Sequence, residues 1–194
     1  MLARHSNPKI AGYRLQIHLE EIEFWCNRWK IKLCPSKCIA IYFTKATRIM
    51  KPPPVILNTY LPWSEKVKYL GIFLDHRLTY AAQIGYSLTK HNMAKRQLYT
   101  FFAENSSLNI HCRKTLYVTV IRPKILYGCQ IWAVAAKTSL HRLQSKQNLM
   151  IKRIANVPYY VRAETLHIEL KLESIGEFIK KKCCKIFQQY SQCP

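Results

Sequence analysis

The hydrophobic period of this chain changes once, at Asp75, and that change limits the folds open to it. Upstream, short apolar runs such as "KVKYLGIFLD" (66–75) alternate with turn residues, the pattern of strands. Downstream the period is 3.6 and stays there, the pattern of amphipathic helices. One upstream stretch is different: Leu15, Leu19, Ile22, Cys26 and Trp29 recur at steps of four and three. They define one face of a helix over 13–29, which leaves Glu20, Glu21 and Glu23 largely toward solvent. The fold class is therefore α+β. Residues 1–75 form a small antiparallel sheet with a packed helix, 76–136 a first helical region and 137–194 a second.

Within the first part, Pro35 ends regularity and residues 38–43 are predicted as a buried strand. The basic, proline-rich stretch 44–54 is a loop. "VILNTYLPW" (55–63) is a hairpin turning near Asn58 and Thr59, and "VKYLGIFLD" (67–75) is a further strand. In the helical part, Leu78, Ile84, Leu88 and Leu98 predict a long helix ending near 104–107, with Ser107 capping the next. That second helix carries Leu116, Val120 and Ile121, breaks or restarts at Pro123, and resumes through Ile125, Leu126 and Trp132. Thr138 or Ser139 caps another, with Leu140, Leu143, Met150, Ile151 and Ile154 inward. After an extended "NVPYYVRAE" (156–164) come shorter helices at about 163–170 and 173–190.

Charge narrows the function. The net charge is +21, and between residues 24 and 163 stand 23 Lys or Arg against three acids, Glu65, Asp75 and Glu104. Such self-repulsion is relieved by a polyanion, and nucleic acid is the first candidate. Trp25, Trp29, Trp63, Trp132 and twelve Tyr accompany the cations, a composition that suits bases as well as phosphates. Catalytic chemistry is harder to find. Asp75 is the single Asp and the nine Glu are dispersed, so no two-metal carboxylate site can be assembled. The eight cysteines contain no C-x-x-C pair, which argues against zinc. There is no G-x-S-x-G elbow and no glycine-rich phosphate loop. The N-terminal residues lack the apolar core of a signal peptide, so an intracellular, reducing compartment with free thiols is expected. The most apolar window, 115–136, is interrupted by Arg122, Pro123 and Lys124 and is a poor membrane span.

Three segments occur in one order and at one spacing: "LQIHLEEIEFWCNRWKIKLCPSKCIAIYFTK" (15–45), "PPPVILNTYLPWSEKVKYLGIFLDHRLTY" (52–80) and "LYVTVIRPKILYGCQIWAVAAKTSLHRLQSKQNLMIKRIANVPYYVR" (116–162). Together they resemble the reverse transcriptase of non-long-terminal-repeat retrotransposons of the Jockey type, from about Leu2 to about residue 180. In that family an aromatic-Ala-Asp-Asp turn supplies metal-binding aspartates, and this chain resembles the sequence that follows the turn. The resemblance implies the end of the palm, the primer grip and the thumb of an RNA-directed DNA polymerase, without the catalytic aspartates and inactive alone. No cofactor is expected in this chain, and Mg²⁺ only in the intact polymerase. The expected partner is an RNA or DNA template-primer duplex.

Residue by residue, the resemblance brings Lys37 in "KIKLCPSK" toward the incoming nucleotide's phosphates, where a general acid could act. Without the metal site, a solvated loop lysine is the preferred reading. Cys34 stands where the family commonly has Asn. Tyr69, Leu70 and Gly71 fall in the primer-grip region, with Gly71 leaving room for another backbone and Tyr69, Leu70, Ile72 and Leu74 in the core. Asp75 ends the strand and caps the turn into the next helix. In the thumb, Lys90, Lys95, Arg96, Arg113 and Lys114 are the expected phosphate contacts, with Arg122, Lys124, Lys152 and Arg153 as weaker candidates. The alternative is a stand-alone basic nucleic-acid-binding protein, a domesticated remnant. A third reading is an active polymerase whose missing half comes from another chain.

Overall fold

The computed structural model describes residues 2–45 and 53–191, which fall into two units, Met1–Leu78 and Thr79–Pro194. The first is α+β. Its helix α1 (Pro8–Arg28) starts where the Asn7 side chain accepts from the Lys9 N–H at 3.0 Å, with Pro8 in the first turn. It ends with Lys30 in the left-handed region and the Ile31 N–H returning to the Cys26 carbonyl at 2.9 Å. The buried face is rotated from the one expected. Ala11 and Cys26 are buried and Leu15 and Leu19 half-buried, but Ile22 and Trp29 are exposed. The face turned inward instead carries Gln16 and Glu23.

Gln16 and Glu23 grip the following hairpin, β2 (Val55–Ile56) and β3 (Thr59–Tyr60). The Gln16 amide donates to the Val55 carbonyl at 3.1 Å and accepts from the Val55 N–H at 3.0 Å, so it pairs with the strand as another strand would. One Glu23 carboxylate oxygen accepts from the Leu57 N–H at 2.6 Å. Glu23 is therefore half-buried and bonded, whereas Glu20 and Glu21 face solvent as expected.

Each sheet has two strands. β1 (Ala40–Ile41) pairs in parallel with β4 (Trp63–Ser64), and β2 pairs antiparallel with β3. The antiparallel arrangement expected throughout thus fails at one pair, whose strands are joined through an intervening hairpin rather than a tight turn. The strand expected over 38–43 is regular only at 40–41. Of the loop expected over 44–54, residues 46–52 lie outside the described residues. Leu57 and Asn58, both at positive φ, form the β2–β3 turn, one residue earlier than expected. Ala40, Ile56 and Leu61 make the core here, with Leu19, Leu33, Cys38 and Trp63 packed against it.

The single strand expected over 67–75 is a hairpin. β5 (Lys66–Tyr69) pairs with β6 (Ile72–Asp75) across Leu70 and Gly71, at φ 47° and 81°. Two consecutive positive-φ residues suit the right-handed twist of a two-residue hairpin, and this is why glycine stands at 71. Of the expected core anchors, Ile72 is buried and Leu74 half-buried, while Tyr69 and Leu70 project at 63% and 74% exposure. Asp75 is buried opposite Lys66 at the end of β6, and its carbonyl accepts from the Leu78 N–H. Asp75 thus ends the strand and closes the turn after it, as expected, and the next helix begins at Ala81. Gly71→Val forces a β-branched residue to positive φ, and we expect it to cost about 1–2 kcal/mol. Urea denaturation monitored by circular dichroism checks this, and an unchanged midpoint would show that the turn tolerates a side chain.

The second unit is helical throughout. Helix α2 (Ala81–Gln97) buries Ile84, Leu88, His91 and Ala94. It stops earlier than expected, giving way to a 3₁₀ turn at Tyr99–Phe102, and Leu78 is exposed outside it. Helix α3 (Ile110–Leu116) is capped by Asn109, which accepts from the Cys112 N–H at 2.8 Å, in place of Ser107. The chain then runs without a break through a π-helical turn, Tyr117–Ile121, into α4 (Arg122–Ile125). Pro123 has no N–H and its ring would crowd the carbonyl four residues back. Widening the preceding turn, with the Arg122 N–H on the Tyr117 carbonyl, absorbs it.

A left-handed Gly128 (φ 62°) leads into α5 (Cys129–Trp132). Trp132 is fully buried, its indole N–H donating to the Tyr127 carbonyl at 3.0 Å. Helix α6 (Lys137–Ala155) has Ala136 at its N-cap, so Thr138 and Ser139 lie in its first turn. Its inward stripe contains Leu143, Met150, Ile151 and Ile154 as expected, and also Gln147. Helices α7 (Ala163–Glu169) and α8 (Ile175–Ser191) follow. Ser174 and Glu177 cap α8 reciprocally, each main-chain N–H donating to the other's side chain. Helix α6 packs against α2, α3, α7 and α8, and α2 also against α4. The Glu173 carbonyl ties three parts together by accepting from Arg122 at 3.1 Å and from Gln147 at 3.0 Å. Among the described residues, no helix is long and apolar enough to cross a membrane.

Candidate nucleic-acid interface

Lys90, Lys95 and Arg96 lie on α2, and Lys146, Lys152 and Arg153 on α6. Where the two helices pack, like charges meet. The Lys95 ammonium is held below the usual lysine range, first by partial burial and then by the nearby Arg153 and Lys146. Lys146 also acts on His91, one turn before Lys95 on α2. Three ion pairs are found among the described residues, and none involves these six cations. Lys90 rests its ammonium 5.3 Å from the centre of the Tyr86 ring. Uncompensated cations gathered on packed helices raise the local positive potential well above that of scattered charges.

Most of the other residues named from sequence lie apart from this pair of helices, although Lys114 is on α3, which packs against α6. Lys37 is exposed on a 3₁₀ turn, Pro35–Lys37, where the Cys34 sulfur lies 3.1 Å from the Ser36 hydroxyl. Tyr69, Leu70 and Gly71 form the tip of the β5–β6 hairpin. Lys114 is half-buried on α3 and Lys124 is exposed on α4. Arg113 is 5% exposed and donates to the Ser106 carbonyl at 3.0 Å, so its work is to fasten the loop before α3. Arg122 is also buried, stacked 4.3 Å over Phe178 and bonded to Glu173. Lys152 is half-buried, with its ammonium donating to the Tyr159 carbonyl. Sequence reasoning missed Lys146. The available signal was its spacing of seven from Arg153, which returns both to one side of α6.

His91 lies beneath this surface. It is 2% exposed, and its pKa is lowered to about 4, chiefly by burial and further by Lys95 and Lys146. The unfolded chain, with an ordinary histidine, binds a proton near pH 6.5 that the folded chain does not take up until about pH 4. Stability should therefore be full above about pH 6.5 and fall by about 3 kcal/mol on acidification to pH 4. Urea midpoints across this window check it, and His91→Gln should flatten the slope. An equally steep slope in that variant would place its origin elsewhere.

A magnesium site needs clustered hard oxygen donors. Asp75 is buried at a strand end, and among the described residues no three His, Cys, Asp or Glu side chains are grouped to hold an ion. The described residues do not form such a site. Cys129 is buried in the helical unit, and burial, the largest influence on it, pushes its thiol up, away from a reactive thiolate.

Fold and surface together define an α+β protein with a strongly cationic helical unit. The comparisons identify its relatives. Over 172 residues, 88% of the chain, it is 35% identical to a probable RNA-directed DNA polymerase from transposon BS of Drosophila melanogaster. It is 33% identical over 158 residues to a probable RNA-directed DNA polymerase from transposon X-element of the same species. Over 182 residues it is 26% identical to the RNA-directed DNA polymerase from mobile element jockey of Drosophila funebris. These matches cover 19%, 17% and 20% of the relatives, so the chain spans about a fifth of the length of the curated relatives it matches. The chain is thus related to a segment of the RNA-directed DNA polymerases of jockey-type and similar transposons, as its motifs imply. No family model and no solved structure matches it.

Proposed function

We propose that this chain is a template-primer-holding segment of a retrotransposon RNA-directed DNA polymerase, the end of the palm with its primer grip followed by the thumb, and that it does not polymerise by itself. The observation that carries this reading is the uncompensated cationic surface of α2 and α6, in which Lys95 stands close to Lys146 and Arg153. Phosphates neutralise such a surface without regard to sequence, which is what holding a moving template-primer requires. Lys90, Lys95, Arg96, Lys114, Lys146 and Arg153 are the contacts we assign. The hairpin tip, where Tyr69 and Leu70 project toward solvent beside Gly71, supports contact with the primer backbone. Magnesium-dependent nucleotide addition belongs in this reading to the intact polymerase.

Fluorescence anisotropy with labelled duplexes of about 20 base pairs tests it, a length of about two helical turns. RNA–DNA and DNA duplexes of unrelated sequence should bind with similar affinity at low salt. Absence of binding, or a strong preference for one base sequence, would overturn the reading.

A further inference from the structure

A second feature of the helical unit is unaccounted for by duplex holding. A cavity of about 550 Å³ lies between the 3₁₀ turn after α2 and the end of α6, within the roughly 300–1,000 Å³ of typical ligand sites. Its apolar lining includes Phe102, which is buried, with Leu149, Ala103 and Val157. Tyr99 and Tyr159 line it with rings that are 59% and 86% exposed. Arg153 and Asn105 are among its polar lining, and the single acid there is Glu104.

We infer that this cavity receives one unpaired nucleotide of a bound strand, its base stacked on Tyr99 and Tyr159 and its phosphate on Arg153. The inference rests on the nucleic-acid reading above and deepens it. Exposed tyrosines contribute little to a core, whereas an aromatic face gains stacking energy from any base. Tyr159 is also held in place. The Lys152 ammonium bonds its carbonyl, and the Tyr160 ring meets its edge at 5.9 Å and 77°. Asn156, in the left-handed conformation, turns the chain sharply from α6 into this segment. The Arg153 guanidinium has no hydrogen-bond or ion-pair partner among the described residues and so remains available to a phosphate. Asn105 and Glu104 offer an amide and a carboxylate to base edges without fixing one base. The duplex interior presents no free base face, so the ligand is an unpaired position.

The test compares the whole chain binding one duplex with a short 3′ overhang against the same duplex whose overhang is abasic. The two carry equal charge and differ only in bases. The base-bearing overhang should bind about tenfold more tightly. Tyr99→Ala and Tyr159→Ala should abolish that ratio, Tyr159→Phe should preserve it, and blunt-duplex affinity should be unchanged in all three. Running DNA and RNA overhangs in parallel identifies the strand by the larger ratio. Equal affinities for the two overhangs, or a ratio unmoved by both alanine variants, overturn the inference while leaving duplex holding intact. Failure of even the blunt duplex to bind removes both.

Discussion

Raising the salt concentration from 50 to 200 mM weakens duplex binding by about 10³-fold, if the six cations assigned to the interface each neutralise one phosphate. The argument is counterion release. Each phosphate contact frees a condensed cation, so the logarithm of affinity falls linearly with the logarithm of salt, with a slope of about −0.9 per contact. Six contacts give a slope near −5. Replacing Lys95, Lys146 and Arg153 together with alanine should shift that slope by about three toward zero and cost most of the low-salt affinity. Because these side chains are half-buried or exposed and repel one another, their loss should leave the fold intact or slightly more stable. Anisotropy titrations at several salt concentrations measure the slope directly. A flat dependence for the parent chain, or an unchanged slope in the triple variant, would eliminate the proposed surface.

That surface illustrates what could be read in the sequence and what could not. The α+β class, the helical character beyond Asp75 and the kinship were legible, because periodicity and motif order are properties of the linear chain. Which cations face outward was not. Arg113 and Arg122 look like any other basic residue, yet both are buried on main-chain carbonyls, that of Ser106 in the preceding loop and that of the distant Glu173. Conversely Gln147 interrupts an apolar stripe and reads as a surface position, but its amide completes the bond to Glu173 that α6 needs. The β5–β6 hairpin was missed because Leu70 occupies a left-handed position that favours Gly or Asn, while the alternating apolar pattern continues through the turn. Propensity at Pro123 points to an interruption, whereas the helix accommodates the proline by widening into a π-helical turn. In α1 the apolar face was ranked by hydrophobicity, whereas two hydrogen-bonding side chains, Gln16 and Glu23, set its rotation.

Trp132→Ala should be the most damaging single substitution in the helical unit, costing about 3–5 kcal/mol. The side chain is fully buried on α5, and its indole N–H is bonded to the Tyr127 carbonyl. Truncation leaves a large void among groups that cannot fully collapse, because α5 is one turn long and packs against α8. A loss of this size is a large part of the roughly 5–15 kcal/mol that holds a typical domain together. Trp132→Phe separates the contributions: it keeps most of the apolar volume and removes the N–H, so it should cost less, about 1–2 kcal/mol. Denaturant unfolding followed by circular dichroism gives both values, and a cost below about 1 kcal/mol for alanine would mean that Trp132 does not organise this core. The same pair of variants bears on function. Trp132 is fully buried, so a loss of duplex binding in Trp132→Ala should track the unfolded fraction and recover when an osmolyte restores folding. The triple cation variant should stay folded and not recover, which separates the residues that build the surface from those that touch the ligand.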